Sequence, residues 1–167
     1  MNKRLHITFL FLSLLFLQVF VLNNILFLGY INPYLYIVFV IFYPLKENRF
    51  LFLFLSFLLG LSIDFFSDSG GINAFSLLFV AYIRLFFVRI FLKKTAQDYL
   101  LFELHAEPFG KVFNYVITLI VIHHFILFSL ANFSTQNFSD VLVNTAYSSI
   151  FTAVLFFLGT YIIRMKK

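Results

Sequence analysis

Two long apolar runs joined by a short break rich in aspartate and glycine constrain the fold more than any other stretch. The runs cover residues 50–66 and 72–92, and the break between them contains Asp68, Gly70 and Gly71. Each run is long enough to cross a bilayer as a helix, and a helix satisfies its own backbone polar groups in hydrocarbon. The sequence therefore predicts a helical hairpin that crosses a membrane twice.

The composition extends this interpretation to the whole chain. Hydrophobic residues make up 62% of the 167 residues and charged residues 11%, whereas soluble domains average about 25% charged residues. The longest stretch that is not apolar, residues 93–111, leaves no room for an attached soluble catalytic module. Because the chain has no cysteine, disulfides and thiolate metal sites are excluded. We predict a single integral membrane domain over residues 1–167.

Six apolar segments predict an all-α, polytopic membrane protein. The helices are expected at about residues 5–22, 25–45, 50–66, 72–92, 111–131 and 141–163. The second segment is the least regular, because Pro33 falls inside it and proline is most easily placed near a helix start. Its helix is therefore expected to begin near Pro33, with residues 25–32 as a re-entrant approach.

Basic residues lie on one side of the membrane if the chain crosses it six times. Eleven of the twelve fall in segments on that side: Lys3, Arg4, Lys46, Arg49, Arg89, Lys93, Lys94, Lys111, Arg164, Lys166 and Lys167. By the positive-inside rule both termini are expected in the cytoplasm. The net charge of +5 is thus interpreted as an orientation signal, and we expect a lipid bilayer, and no nucleic acid, as the partner of the basic residues.

Small and polar residues recur at helical spacing on both members of the predicted hairpin. They are Ser56, Gly60, Asp64 and Asp68 on the first helix, and Ser76, Val80 and Arg84 on the second. This spacing predicts a polar seam that faces the protein interior. Ionisable groups inside a bilayer cost about 2.5–3.5 kcal/mol on insertion scales. A structural polar contact that fixes the hairpin is therefore the favoured role of Asp64 and Arg84, with a partner contact or a ligand or ion site as alternatives. Whether the two residues pair with each other is left open, because their depths differ by about 9 Å.

Two adjacent histidines, His123 and His124, lie in the middle of the fifth segment. Neighbouring helical residues project about 100° apart, so both are not expected to face one interior seam. A proton relay is one interpretation; a hydrogen-bonded packing histidine beside one at a lateral interface is the other. In the sixth segment, Asn144, Ser148 and Thr152 at helical spacing favour close helix packing.

The sequence contains no pattern typical of an intramembrane protease, a phosphate loop or a zinc site. We therefore expect no enzyme, no catalytic residue, no cofactor and no metal.

The order of these motifs resembles the MreD family of bacterial rod shape-determining membrane proteins, in its Bacteroidetes-like form. The resemblance is in Gly60-x-x-x-Asp64-x-Phe66, Gly70-Gly71 and Ala81-Tyr82-x-Arg84, with Pro33, Tyr34, Tyr36 and Pro44 upstream. It implies a non-enzymatic scaffold of the cell-elongation machinery in the bacterial cytoplasmic (inner) membrane. Such proteins bind the bitopic protein MreC and help couple MreB filaments to lateral peptidoglycan synthesis by a RodA-type polymerase and its transpeptidase, which maintains rod shape.

The resemblance also implies roles for the residues on the pattern and a fold. Gly60, Asp64, Gly70, Gly71 and Arg84 are expected to shape the hairpin and its partner surface. The fold expected is that of the substrate-capture subunits of energy-coupling-factor transporters. This leaves a capture subunit for a vitamin or a metal as the alternative function, and a small proton- or ion-coupled permease as a third.

Overall fold

The computed structural model describes residues 3–25, 32–93, 104, 107–132 and 138–165, and helices dominate these residues. The α-helices are α1 (Lys3–Phe16), α2 (Ile37–Phe42), α3 (Arg49–Ser67), α4 (Ile72–Leu92), α5 (Phe109–Ala131) and α6 (Phe138–Met165). A π-helical turn, Leu17–Val21, and a 3-10 turn, Leu22–Asn24, extend α1. No β-strand occurs in the described ranges.

Five helical segments are long and apolar enough to cross a membrane. They are Leu5–Asn24, Arg49–Ser67, Ile72–Leu92, Phe109–Ala131 and Phe138–Ile162, with mean hydropathies between 1.8 and 2.4. Large apolar side chains on these helices, including Phe9, Phe65 and Ile150, are exposed where lipid would cover them. The prediction of an all-α, polytopic membrane protein is confirmed.

The predicted extent of the second helix is wrong. The expected segment covered residues 25–45, with its helix beginning near Pro33, whereas α2 has six residues, Ile37–Phe42, and residues 26–31 lie outside the described ranges. Residues 32–36 are not α-helical, and Pro33 lies in this irregular stretch. The helix ends at Tyr43, which has an extended ψ of 132°, because the residue before Pro44 disfavours helical geometry.

The chain between α1 and α3 nevertheless crosses the whole bundle. The Asn23 side-chain amide donates a hydrogen bond of 2.8 Å to the Ser67 hydroxyl, so the last turns of α1 and α3 lie at the same end. We call this the hairpin end and the opposite end the terminal end. Because α1 and α3 run parallel, the chain between them must return to the terminal end, where α3 begins at Arg49. Residues 32–36 and α2 form part of this return, which we call the second crossing because it is second in chain order.

The remaining helices alternate in direction. Arg84, in the second half of α4, contacts Tyr115 near the start of α5. Phe109, at the start of α5, packs against Phe157 near the end of α6, with ring centroids 5.8 Å apart. Helices α5 and α6 are therefore antiparallel, and the start of α1 and the end of α6 lie at the terminal end.

The hairpin of α3 and α4 is closed by glycines that the sequence pattern singled out. A Cβ added at Gly60 would lie 2.5 Å from the Ala74 Cα, so only glycine lets the two helix backbones approach this closely. In the turn, Asp68 has φ 50°, Gly70 has φ 65° and Gly71 has φ 95°. Gly70 and Gly71 thus supply left-handed backbone, and Gly60 supplies space.

Candidate functional site in the buried polar seam

Asp64 caps the first turn of α4. Its carboxylate is 4% exposed and accepts four hydrogen bonds. Oδ1 accepts from the Ser69 hydroxyl (2.5 Å), the Asn73 backbone N–H (3.0 Å) and the Asn73 side-chain amide (2.9 Å). Oδ2 accepts from the Ala74 N–H (2.8 Å). Since Gly71 at the N-cap has no side chain to offer, the carboxylate from α3 supplies the cap, and the helix dipole favours its negative charge.

Asn73 extends this contact to the second crossing. Its side-chain oxygen accepts a hydrogen bond of 2.7 Å from the Tyr36 hydroxyl, while its amide donates to Asp64 and to Ser69. The seam pattern did not identify Asn73 as a member. Its position in the first turn of α4, just after the glycine turn, was the available signal.

Arg84 caps the C-terminal end of α2. The side chain is 2% exposed; its Nη2 donates to the carbonyls of Ile41 (3.1 Å) and Tyr43 (2.7 Å), and its Nε donates to the Tyr115 hydroxyl (3.0 Å). The guanidinium carbon also lies 5.2 Å from the ring centroid of Phe52. Because the last carbonyls of a helix have no intrahelical donor, a cation here satisfies them and opposes the negative dipole end of α2.

Asp64 and Arg84 do not pair with each other. Asp64 binds the α4 backbone at Ala74, and Arg84 lies ten residues further along the same helix, a rise of about 15 Å. Each residue is instead satisfied by a helix end.

The predicted seam does face the interior. Ser56, Gly60, Ser76 and Val80 are buried, and only Asp68, in the turn, is exposed. The hydroxyls of Ser56 and Ser76 donate to carbonyls one turn earlier in their own helices, at 2.8 and 2.7 Å. The polar groups of the seam are thus used within the chain.

Residues 32–36, which we call the strap, place non-helical backbone deep in the bundle. Gln18, fully buried in the π-helical turn after α1, accepts a hydrogen bond of 2.9 Å from the Leu35 N–H and donates one of 3.1 Å to the Pro33 carbonyl. Non-helical backbone is tolerated at membrane depth only where the protein satisfies it. Gln18 therefore satisfies backbone polar groups of the strap, as neighbouring turns of a helix satisfy those of one another.

A second side chain, from α6, holds the strap beside the histidines. The Tyr34 N–H donates to the Thr152 hydroxyl at 3.1 Å, and this hydroxyl lies 3.1 Å from His124 Nε2. His124 Nδ1 lies 2.8 Å from the Ile120 carbonyl. A carbonyl can only accept, so Nδ1 carries the proton and Nε2 accepts from Thr152.

Both histidines are buried, so the expectation that one lies at a lateral interface is wrong. His123 and His124 are each 0% exposed. The sequence reasoning assumed one interior face, but α5 has neighbours on two sides. His124 faces Thr152 on α6, and His123 faces the ring of Tyr36, with ring centroids 5.1 Å apart.

A separate apolar groove of about 770 Å³ lies between α5 and α6. Phe42, Val112, Phe113, Ala153 and Phe156 are among the residues that line it. None of Asp64, Arg84, His123 and His124 lines it, so this groove and the polar seam are different places.

The arrangement of the seam favours structure over chemistry. Across the described ranges, no three histidine, cysteine, aspartate or glutamate side chains converge as a metal ion would require. Among the buried groups of the described residues that could bind a proton or an ion, Asp64 and Arg84 bind helix ends and His124 binds Ile120 and Thr152, whereas His123 has no partner there.

Comparison with known proteins identifies no relative of this chain: no family model, no curated protein and no solved structure matches it.

Proposed function

We propose that this chain is a non-enzymatic membrane scaffold of the MreD type. It binds a bitopic MreC-like protein and helps couple MreB filaments to lateral peptidoglycan synthesis by a RodA-type polymerase and its transpeptidase. The proposal places it in the bacterial cytoplasmic membrane with both termini cytoplasmic, in keeping with the positive-inside rule.

The use of Asp64 and Arg84 as helix caps is the observation that carries this proposal. A permease or an intramembrane enzyme needs ionisable groups that are free to bind or exchange protons. Here Asp64 accepts four hydrogen bonds from the chain itself, and Arg84 donates three. A scaffold has no such requirement, because its task is to present a fixed surface.

Helix α1 offers the surface that a partner helix would need. In the segment Leu5–Asn24, which contains α1, 17% of an 18-residue stretch is buried inside the protein, against 44% of such a stretch in α5. Five large apolar side chains along α1 and the π-helical turn that extends it are 43–68% exposed and follow one another at intervals of three or four residues: Leu5, Phe9, Leu12, Phe16 and Phe20. This α1 stripe has the spacing by which two helices interlock their side chains, and membrane helices associate mainly through such packing. We assign the transmembrane helix of the bitopic partner to the α1 stripe.

Affinity purification from native membranes in mild detergent, followed by mass spectrometry, tests this proposal. We expect a bitopic protein to be recovered with the chain, and the double change Phe9→Ala and Phe16→Ala to reduce its recovery severalfold. The matched control changes Phe79→Ala and Phe86→Ala, on α4, where both rings are also exposed. The control variant should retain the partner.

Other outcomes would contradict the proposal. Equal recovery of the partner with both double variants, at equal protein level, would show that the α1 stripe is not part of the interface. Recovery of an ATP-binding-cassette module or a retained vitamin or metal, without a bitopic protein, would replace the scaffold with the capture-subunit alternative.

A further inference from the structure

Six buried side-chain polar atoms have no hydrogen-bond partner among the described residues. They are both ring nitrogens of His123 and the hydroxyl oxygens of Tyr43, Thr145, Ser148 and Ser149. Buried polar groups in native proteins are nearly always paired, and each one that is not lowers the stability of the state that buries it. Such a concentration in one small protein requires a structural explanation.

Four of these five residues are associated with the strap. The ring of His123 contacts that of Tyr36. On α6, Thr145, Ser148 and Ser149 lie within two turns of Thr152, whose hydroxyl binds the Tyr34 N–H. Residues 141, 145, 148 and 152 share one helix face at spacings of four, three and four.

The strap is joined to the first turn of α2 through the Leu35 and Tyr36 carbonyls, and the Tyr36 ring packs in the core. Its hydrogen bonds to α1, α4 and α6 all involve side chains of those segments. Gln18 makes two hydrogen bonds to it, Thr152 makes one, and Asn73 receives one from Tyr36. None of these bonds belongs to the backbone ladder of a long helix. The strap can therefore leave its position without the unwinding of α1, α4 or α6.

We propose that the strap is a movable cover, and that the structure shows its closed state. In the open state the strap lifts away from α5 and α6, and water reaches His123, Ser148 and Ser149. Opening breaks the four hydrogen bonds to the strap, but it gives partners to groups that are unpaired when closed. The hydrogen bonds gained on opening offset part of the free energy lost when the four bonds to the strap break. The free-energy difference between the closed and open states is therefore smaller, and the open state is populated. The inference does not depend on the proposed scaffold function.

Cysteine labelling can test the cover directly, because the chain has no cysteine of its own. Ser148→Cys and Ser149→Cys each replace a buried hydroxyl with a thiol of similar size. In native membranes, a membrane-permeant maleimide should label both more slowly than Ser139→Cys, which lies at an exposed position. Adding Tyr36→Phe, which removes only the hydrogen bond to Asn73, should accelerate labelling three- to tenfold.

Val80→Cys provides the control for global unfolding. Val80 is fully buried on α4, and its position lies outside the strap contacts. Labelling of Ser148→Cys and Ser149→Cys while Val80→Cys stays unlabelled would support the cover. Two results would overturn it: no labelling of either serine position in both the parent and Tyr36→Phe backgrounds, or labelling only at the rate of Val80→Cys.

Discussion

Asp64 and Arg84 each neutralise the end of a helix, and they do so at different levels of the same bundle. Asp64 places its charge at the N-terminus of α4, and Arg84 places its charge at the C-terminus of α2. A helix end carries about half an elementary charge of the opposite sign. Two buried ionisable residues are thereby tolerated without a contact between them.

The carboxylate of Asp64 should be needed for stability. Asp64→Asn replaces one acceptor oxygen with a donor that faces the N–H groups of α4, and caps and charged hydrogen bonds are each worth about 1–3 kcal/mol. We expect a loss of about 2 kcal/mol, measured as a lower thermal midpoint of the purified protein in detergent. Asp68→Asn, at the exposed turn position, is the control and should change the midpoint little. Equal midpoints for the two variants would contradict the capping role.

The glycine at the helix crossing should not accept a methyl group. Gly60→Ala forces α3 away from the α4 backbone, since the new Cβ would lie 2.5 Å from the Ala74 Cα, and overpacking of this kind costs about 1–3 kcal/mol. Gly159→Ala is the matched control, because nothing lies within 4 Å of a Cβ there. Thermal midpoints should fall for the first variant and hold or rise for the second. A stable Gly60→Ala protein would show that the crossing is looser than described.

The guanidinium group of Arg84 should not be replaceable by the ammonium group of a lysine. Lysine cannot reproduce the donors that reach Tyr115 and the two carbonyls of α2 at once. Arg84→Lys is expected to lower stability by about 2 kcal/mol. Arg49→Lys, at an exposed arginine on the same hairpin that contacts Tyr82, should have an effect within about 0.5 kcal/mol. Limited proteolysis near α2 and the thermal midpoint would both report the difference.

Two threonines on α6 should respond in opposite ways to the same substitution. Thr152→Val removes the acceptor of the Tyr34 N–H and the donor to His124, and should destabilise the protein by about 1–3 kcal/mol. Thr145→Val removes a hydroxyl that has no partner among the described residues, and should be neutral or stabilising. Parallel thermal unfolding of the two variants measures both effects. A larger loss for Thr145→Val than for Thr152→Val would mean that the assignment of partners is wrong.

The sequence predicted the class of fold and most of the helix positions, because apolar length determines both. The segment expected at residues 72–92 is found as Ile72–Leu92, and that expected at 50–66 as Arg49–Ser67. Pro33 and Pro44 signalled the irregular second crossing. They could not show how its backbone is satisfied, because Gln18 and Thr152 come from helices at opposite ends of the sequence.

The residues of the candidate site could be predicted from the sequence, but their contacts could not. Helical spacing correctly placed Gly60, Asp64 and Arg84 inside the bundle. Their partners are backbone groups whose proximity depends on how three separate elements pack, and no periodicity reports that. The histidines were misjudged for a related reason, since a spacing argument describes one face of a helix and α5 is enclosed on two.

The hydrogen bond between Tyr34 and Thr152 joins residues 118 positions apart, and this separation determines an order of assembly. During synthesis, the second crossing emerges long before α6 exists, and one of its backbone donors then has no acceptor in the protein. The strap can therefore reach its final position only after the last helix has entered the membrane. We therefore expect α6 to be the element that completes the fold, because its arrival supplies the acceptor for this strap N–H.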